Sequence, residues 1–233
     1  MEHPGVKDEL TLGFGQLEWT LRQGLDTQMP VNAFQGASMS EGPQDDLPER
    51  ASYRSILESG PQDYLIQARY LKQHHAGIAD LYLGFLKSLE SPHLGFPVDR
   101  FEHSLQTATR ALRDGRDEEY VFVALFHDVG DALAPANHPE ASAALLRPYI
   151  SDDMYWLVRN HGVFQGHYYY HFIGRDRDLR ERYRGHPMFE TTAEFCEKYD
   201  QAAFDKDYDS APLSAFEPLV RRILSQPPRF VFE

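Results

Sequence analysis

The spacing of apolar side chains predicts a mainly helical chain after residue 60. Between Asp63 and Leu89 apolar residues recur at intervals of three and four, with Gly77 as a bend, which predicts one long or two short helices. Further helices are predicted at residues 101–112, 118–133, 140–146, 190–204 and 213–224. Strand-type alternation is sparse and no internal repeat is found, so the pattern predicts an all-α architecture.

Another helix is predicted from its first residues. Ser151 is a typical N-cap, and Asp152 and Asp153 place negative charge in the first turn, just before a run of apolar positions. Gly162 and Gly166 are expected to end this helix.

Residues 1–60 differ from the rest of the chain. They mix Gly, Pro, Gln and Asp with scattered apolar positions and show no sustained period. We expect residues 1–60 to be an irregular N-terminal arm that packs as a lid on a helical domain formed by residues 61–233.

Composition narrows the class of protein. The chain has 233 residues with 42% hydrophobic and 25% charged residues, which is typical of one compact globular unit. The net charge of −13 disfavours a nucleic-acid partner. There is no apolar run long enough to span a membrane and no signal-like N-terminus, so we expect a soluble cytoplasmic protein that acts on a small molecule.

The most apolar predicted helix carries an adjacent His127 and Asp128 at its end. Ionisable groups are costly in such surroundings unless a partner such as a metal ion compensates them. His103 lies on the preceding predicted helix, and antiparallel packing of the two helices would bring both imidazoles together. His138, His161 and Asp200 follow downstream, which gives four histidines and two carboxylates.

This set of side chains suits two metal ions. Imidazole and carboxylate ligands fit iron, manganese, zinc or cobalt, whereas the single cysteine, Cys196, can supply neither a thiolate cluster nor an intramolecular disulfide. Asp128 would bridge the ions, with one held also by His103, His127 and Asp200 and the other also by His138 and His161. Coordination positions left open would imply catalysis. The alternative is that each histidine is an ordinary hydrogen-bonded residue.

The order His103, His127-Asp128, Asp200, with the strings FEHSLQTA and LFHDVGD, resembles the HD metal-dependent superfamily. Within that superfamily the chain resembles the mixed-valent diiron oxygenases, namely myo-inositol oxygenase and the phosphonate-cleaving HD oxygenases. The resemblance lies in the positions of His138 and His161 and in the strings RNHGVFQGH and FCEKYDQAAFD. The resemblance covers about residues 101–224. It implies an HD-domain helical bundle that holds an Fe(II)/Fe(III) pair and uses O2 to oxidise a small hydroxylated substrate, with C–C or C–P cleavage.

Asp131 is a departure from this resemblance, because inositol oxygenase carries a lysine at that place. On a continuous helix Asp131 would share a face with the His127-Asp128 dyad, where it would accept a hydrogen bond from a substrate hydroxyl or pair with a substrate cation. The alternative is a partner that orients a metal ligand. Asp131 and His167 are the candidate catalytic residues, with His167 in a pocket beside the aromatic run 168–172. The arginines at 175–184 predict a salt-bridged surface, although single ones could clamp substrate.

Two other function classes stay open. The same two metals would serve a phosphohydrolase, which ranks second because no clear basic phosphate clamp lies beside the dyad in sequence. The other is a non-catalytic binding module, which would hold no metal ion.

Overall fold

The computed structural model describes residues 50–90 and 95–229. Residues 50–233 form one compact unit. Residues 50–60 hold a short 3₁₀ turn at Ile56–Glu58. The rest of the predicted arm, and with it the predicted lid, lies outside the described residues.

Helices dominate the two described ranges, which contain no strand, and the predicted all-α fold is confirmed. The α-helices are α1 (Pro61–Ala76), α2 (Ile78–Lys87), α3 (Arg100–Arg113), α4 (Glu118–Phe126), α5 (His138–Leu146), α6 (Asp152–Tyr169), α7 (Phe189–Phe195) and α8 (Leu213–Leu224). Among the described residues we found no helix with both the length and the apolar character that a membrane crossing requires.

Helix α4 is the centre of the core. Every side chain from Tyr120 to Phe126 is buried, with at most 4% exposed. Burying a side chain such as Phe122 or Leu125 contributes about 1.5–3 kcal/mol. Asp117 caps the helix, since its Oδ1 accepts the N–H of Tyr120 at 2.8 Å. The buried side chains hold α4 deep inside the bundle, and α3 packs along it.

Several predicted boundaries are confirmed. Gly77 separates α1 from α2, and α8 has the predicted bounds. Ser151 caps α6, because its hydroxyl accepts the N–H of Met154 at 3.3 Å. Asp99 caps α3 in the same way, accepting the N–H of Glu102 at 2.7 Å.

The prediction of one helix through residues 118–133 is wrong. Helix α4 ends at Phe126, and a 3₁₀ turn follows at Val129–Ala132. Gly130, within this turn, packs closely on α5, because a Cβ there would lie 2.7 Å from the carbonyl oxygen of His138. Its N–H also donates to the Ser142 hydroxyl at 2.9 Å. The dyad therefore lies at a helix end against α5, and the helical argument for Asp131 does not hold.

Gly162 and Gly166 do not end α6, which continues to Tyr169. Both positions are instead sites of close packing. A Cβ on Gly162 would lie 3.0 Å from Cγ of Pro139, and one on Gly166 would lie 2.4 Å from the Tyr170 ring. Gly162 lets the middle of α6 lie close to α5, and Gly166 leaves room for the Tyr170 ring.

The predicted helix at residues 190–204 is also interrupted. Helix α7 ends at Phe195, and Cys196–Asp200 forms a π-helical turn. A π turn widens the helix and often marks a functional site. In this chain it carries Asp200 into the core.

Candidate metal centre

Three fully buried side chains from different elements form what we call the inner group: His103 of α3, His127 after α4, and Asp200 of the π turn. The two Nε2 atoms lie 3.2 Å apart. Oδ1 of Asp200 is 3.3 Å from Nε2 of His103 and 3.6 Å from Nε2 of His127. Three ligand atoms within this reach of one another are sufficient to hold one ion.

Asp128 lies between the inner group and two further histidines. Its Oδ2 is 3.5 Å from Nε2 of His103 and 3.6 Å from Nε2 of His127. Its Oδ1 is 3.2 Å from Nε2 of His138 and 3.1 Å from Nε2 of His161. Each carboxylate oxygen thus faces a different pair of imidazoles.

Backbone carbonyls orient these imidazoles. Nδ1 of His103 lies 3.0 Å from the carbonyl oxygen of Ala203, and Nδ1 of His127 lies 2.9 Å from that of Ala124. His161 has the same contact with Val158, at 2.7 Å. A carbonyl oxygen only accepts, so Nδ1 carries the proton in each ring. Nε2 of each ring then faces the centre, as in metal-binding histidines.

The donor set fits a metal ion. Two Nε2 lone pairs 3.2 Å apart repel each other unless a proton or a cation lies between them. Oδ2 of Asp200 is buried and has no hydrogen-bond partner, which is a costly state for a carboxylate oxygen. Cations bound at this centre would satisfy both groups.

Electrostatics in the metal-free centre follow from burial and close pairing. Burial alone would raise the pKa of Asp128, but His127, His138 and His161 outweigh it and hold that pKa well below its usual value. Burial would also raise the pKa of Asp200, but His103 and His127 outweigh this effect and hold that pKa below its usual value. Burial would lower the pKa of His127, whereas Asp128 and Asp200 raise it to about 9.

A more exposed set of side chains, which we call the outer edge, lies beside Asp128: Arg100, Asp131 and His138. Their side chains are 22%, 14% and 20% exposed. Nε of Arg100 donates to Oδ2 of Asp131 at 3.2 Å, and Nη1 of Arg100 is 3.5 Å from Oδ2 of Asp128. Oδ1 of Asp131 is 3.6 Å from Nδ1 of His138. Asp131 therefore contacts a cation of the protein and a candidate ligand at once.

His138 also lines a cavity of about 840 Å³ between α5, α6 and the segment after α6. Trp156, Tyr170 and Tyr183 form aromatic walls of this cavity. Phe172, from the same aromatic run, is 78% exposed and is not part of the lining. The cavity gives the His138 side of the centre an approach from solvent.

His167 is not brought to the centre. Its Nδ1 lies 3.3 Å from the Arg177 carbonyl and 3.4 Å from Oδ1 of Asp178, and its Nε2 lies 3.3 Å from Nη2 of Arg177. These contacts tie the end of α6 to the loop that follows.

The arginines at residues 175–184 differ in what they contact. Arg184 pairs with Glu181, as a salt-bridged surface predicts. Arg182 instead donates from Nη2 to the Tyr183 hydroxyl at 2.6 Å and lines the cavity, as does Arg175.

Sequence reasoning missed two residues at the centre. Arg100 lies three positions before His103, and Gln165 lies four positions after His161. Gln165 donates from Nε2 to Oδ1 of Asp200. Helical spacing from the predicted ligands is the signal that would have found both.

The fold and the site together define a helical domain that gathers imidazoles and carboxylates for metal binding. Residues 100–197 match the family model described as "HD domain", and the chain therefore contains an HD domain over that stretch. It includes four of the clustered histidines, with Asp128, and ends shortly before Asp200.

The chain is also similar to a curated protein of Leisingera caerulea, the [1-hydroxy-2-(trimethylamino)ethyl]phosphonate dioxygenase (glycine-betaine-forming). The two are 34% identical over 83 residues, which cover 31% of this chain and 42% of the relative. The match thus spans less than half of the relative's length. Taken together, the comparisons support an enzyme with HD-type metal-dependent function.

Proposed function

We propose that this protein is a dinuclear-iron oxygenase that uses O2 to oxidise a small hydroxylated substrate, with cleavage of a C–C or C–P bond. The observation that supports it is the arrangement around Asp128, whose two oxygens each face a separate pair of imidazoles within 3.6 Å. A carboxylate placed between two sets of imidazole and carboxylate ligands suits a pair of iron ions. The similarity to a phosphonate dioxygenase adds support for the oxygenase class.

In this proposal Asp128 bridges the two ions. The inner group, His103, His127 and Asp200, completes one site, and His138 and His161 complete the other. The iron pair, when bound, supplies Lewis acidity for a substrate hydroxyl and the electrons for O2 activation.

The surrounding residues have their own tasks. The ring of Phe204 packs on His103 and the ring of Phe195 packs on His127, with ring centres 4.5 and 5.4 Å apart, and both rings exclude water from the inner group. Gln165 orients Asp200 through its hydrogen bond. Asp131, through His138 and Arg100, positions groups on the side open to substrate, so its role is that of an orienting partner.

The test is anaerobic reconstitution with Fe(II), partial oxidation, and addition of O2 with hydroxylated phosphonates and polyols. The first candidate is the trimethylammonium hydroxyphosphonate named for the relative. We expect O2 consumption that depends on both iron and substrate. Protein that binds two iron ions but consumes no O2 with any of these substrates would exclude the oxygenase.

The runner-up is a dinuclear phosphohydrolase, and one observation favours it. Nη1 of Arg100 lies 3.5 Å from Oδ2 of Asp128, so a basic side chain is present beside the dyad after all. Arginine is well suited to a phosphoryl group. Hydrolysis of nucleotides by the Mn(II)-loaded protein in the absence of O2 would favour this alternative.

A further inference from the structure

Arg100 is held in place by contacts on several sides. Nε donates to Oδ2 of Asp131 at 3.2 Å, and Nη1 lies 3.5 Å from Oδ2 of Asp128. The guanidinium carbon lies 4.6 Å from the centre of the Phe96 ring. A guanidinium fixed by an ion pair and an aromatic ring loses little further freedom when it binds a ligand.

The location of Arg100 is unfavourable for a purely structural cation. It is the first residue of α3, where the helix dipole disfavours positive charge by about 0.3–1 kcal/mol. Asp131 offsets this charge through one edge of the guanidinium. The Nη1 atom is directed toward the centre, and the side chain is 22% exposed, so a small ligand can reach it.

The contact between Arg100 and Asp128 competes with metal binding. Oδ2 of Asp128 already lies within 3.6 Å of two inner imidazoles, and its Oδ1 faces the other two. A carboxylate that ligates two cations is a weaker acceptor for a third cation. Nη1 of Arg100 then needs another acceptor at the outer edge.

We propose that Arg100 is a specificity-determining residue whose guanidinium binds an oxyanion of the substrate, such as a phosphonate or carboxylate, beside the metal pair. Asp131 is the positioning residue that holds the guanidinium through Nε. This inference rests on the proposed metal pair. It assigns Asp131 to the protein's own cation, in place of a substrate cation.

The experiment measures binding of methylphosphonate by calorimetry to the full chain loaded with Mn(II). The variants are Arg100→Gln, Arg100→Lys and Asp131→Asn. Arg113→Gln is the matched control, because Arg113 lies on the same helix and pairs with the exposed Asp209. Elemental analysis gives the Mn(II) content of every variant, and thermal unfolding shows that each is folded.

We expect Arg100→Gln to raise the methylphosphonate Kd by about tenfold or more, because a charge-assisted hydrogen bond is lost. Arg100→Lys should keep the charge but lose the fork geometry, and Asp131→Asn should loosen the guanidinium, so each should raise Kd by about threefold. The Kd of the control should stay within about twofold of the wild type, and the control and both Arg100 variants should keep the wild-type Mn(II) content.

A Kd for Arg100→Gln within about twofold of the wild type, at full Mn(II) content, would overturn the inference and leave the metal proposal standing. Absence of methylphosphonate binding to the Mn(II)-loaded wild type would also overturn it. A wild type that takes up no Mn(II) would count against the proposed function itself. If Arg100→Gln does not fold, an unchanged Kd in both Arg100→Lys and Asp131→Asn would overturn the inference.

Discussion

The inner group and the outer edge both adjoin Asp128 but are built differently. His103, His127 and Asp200 are fully buried and are oriented by backbone carbonyls and Gln165. The outer edge is partly exposed and is oriented by ion pairs among its own side chains. The difference indicates that core packing fixes one half of the centre, whereas charge pairing fixes the half that substrate approaches.

Asp128→Ala should have the largest effect, since Asp128 contacts both halves. We expect loss of both ions and about a 100-fold or greater loss of metal affinity, because its two oxygens face both imidazole pairs. Metal content per chain by elemental analysis is the measurement. Asp153→Ala, at an exposed position in the first turn of α6, is the control and should keep full content. Full metal content in Asp128→Ala would contradict the bridging role.

His103→Ala and His138→Ala compare the two halves directly. Each should lose about one ion per chain. His103→Ala should also lower the free energy of unfolding by about 2 kcal/mol or more, because a cavity forms in the core, whereas His138→Ala should cost less than about 1 kcal/mol. Denaturant unfolding of the metal-free variants measures this. Equal losses of stability would remove the distinction between the halves.

Metal-free protein should lose stability as the pH rises. The pKa of His127 is raised to about 9 by Asp128 and Asp200 against the effect of burial. Its stabilising contribution is therefore full below about pH 6.5 and is lost as the pH rises through about 9, an effect on the order of 3 kcal/mol. Denaturant unfolding between about pH 7 and 10 is the measurement. His127→Gln is the control and should show a smaller decline. Equal pH profiles for wild type and control would contradict the pairing.

Among the substitutions, Gly130→Ala should have the smallest effect on metal content. Its Cβ would meet backbone atoms of His138 and Ser142 at 2.7 Å, so the start of α5 must shift, at a cost of about 1–3 kcal/mol. We expect weaker binding of the ion on the His138 side, with the inner ion retained. Gly84→Ala in α2, where a Cβ meets nothing within 4 Å, is the control and should be neutral or stabilising. Normal metal content in Gly130→Ala would show that α5 adjusts freely.

Local sequence patterns predicted most of the helices. Apolar spacing predicted α3 and α8 closely, because amphipathic helices encode their own period. The predicted ends of α4 and α6 were wrong because apolar spacing does not encode how Gly130 and Gly162 pack on α5, or how Gly166 packs on the Tyr170 ring.

The candidate site likewise has a part that the sequence predicted and a part that it did not. Histidine and aspartate order predicted which side chains meet around Asp128, since their spacing follows from antiparallel helices. The pairing of Arg100 with Asp131 spans 31 positions and depends on how the 3₁₀ turn leaves α4. That turn is set by tertiary packing, so the sequence alone left Asp131 as either a substrate-facing group or a partner that orients a metal ligand.

Anomalous diffraction at the iron edge, from crystals of anaerobically Fe(II)-loaded protein, tests the central claim most directly. We predict two peaks on either side of the Asp128 carboxylate, one within reach of His103, His127 and Asp200 and the other within reach of His138 and His161. A single peak, or the same side chains gathered with no peak between them, would contradict a dinuclear centre.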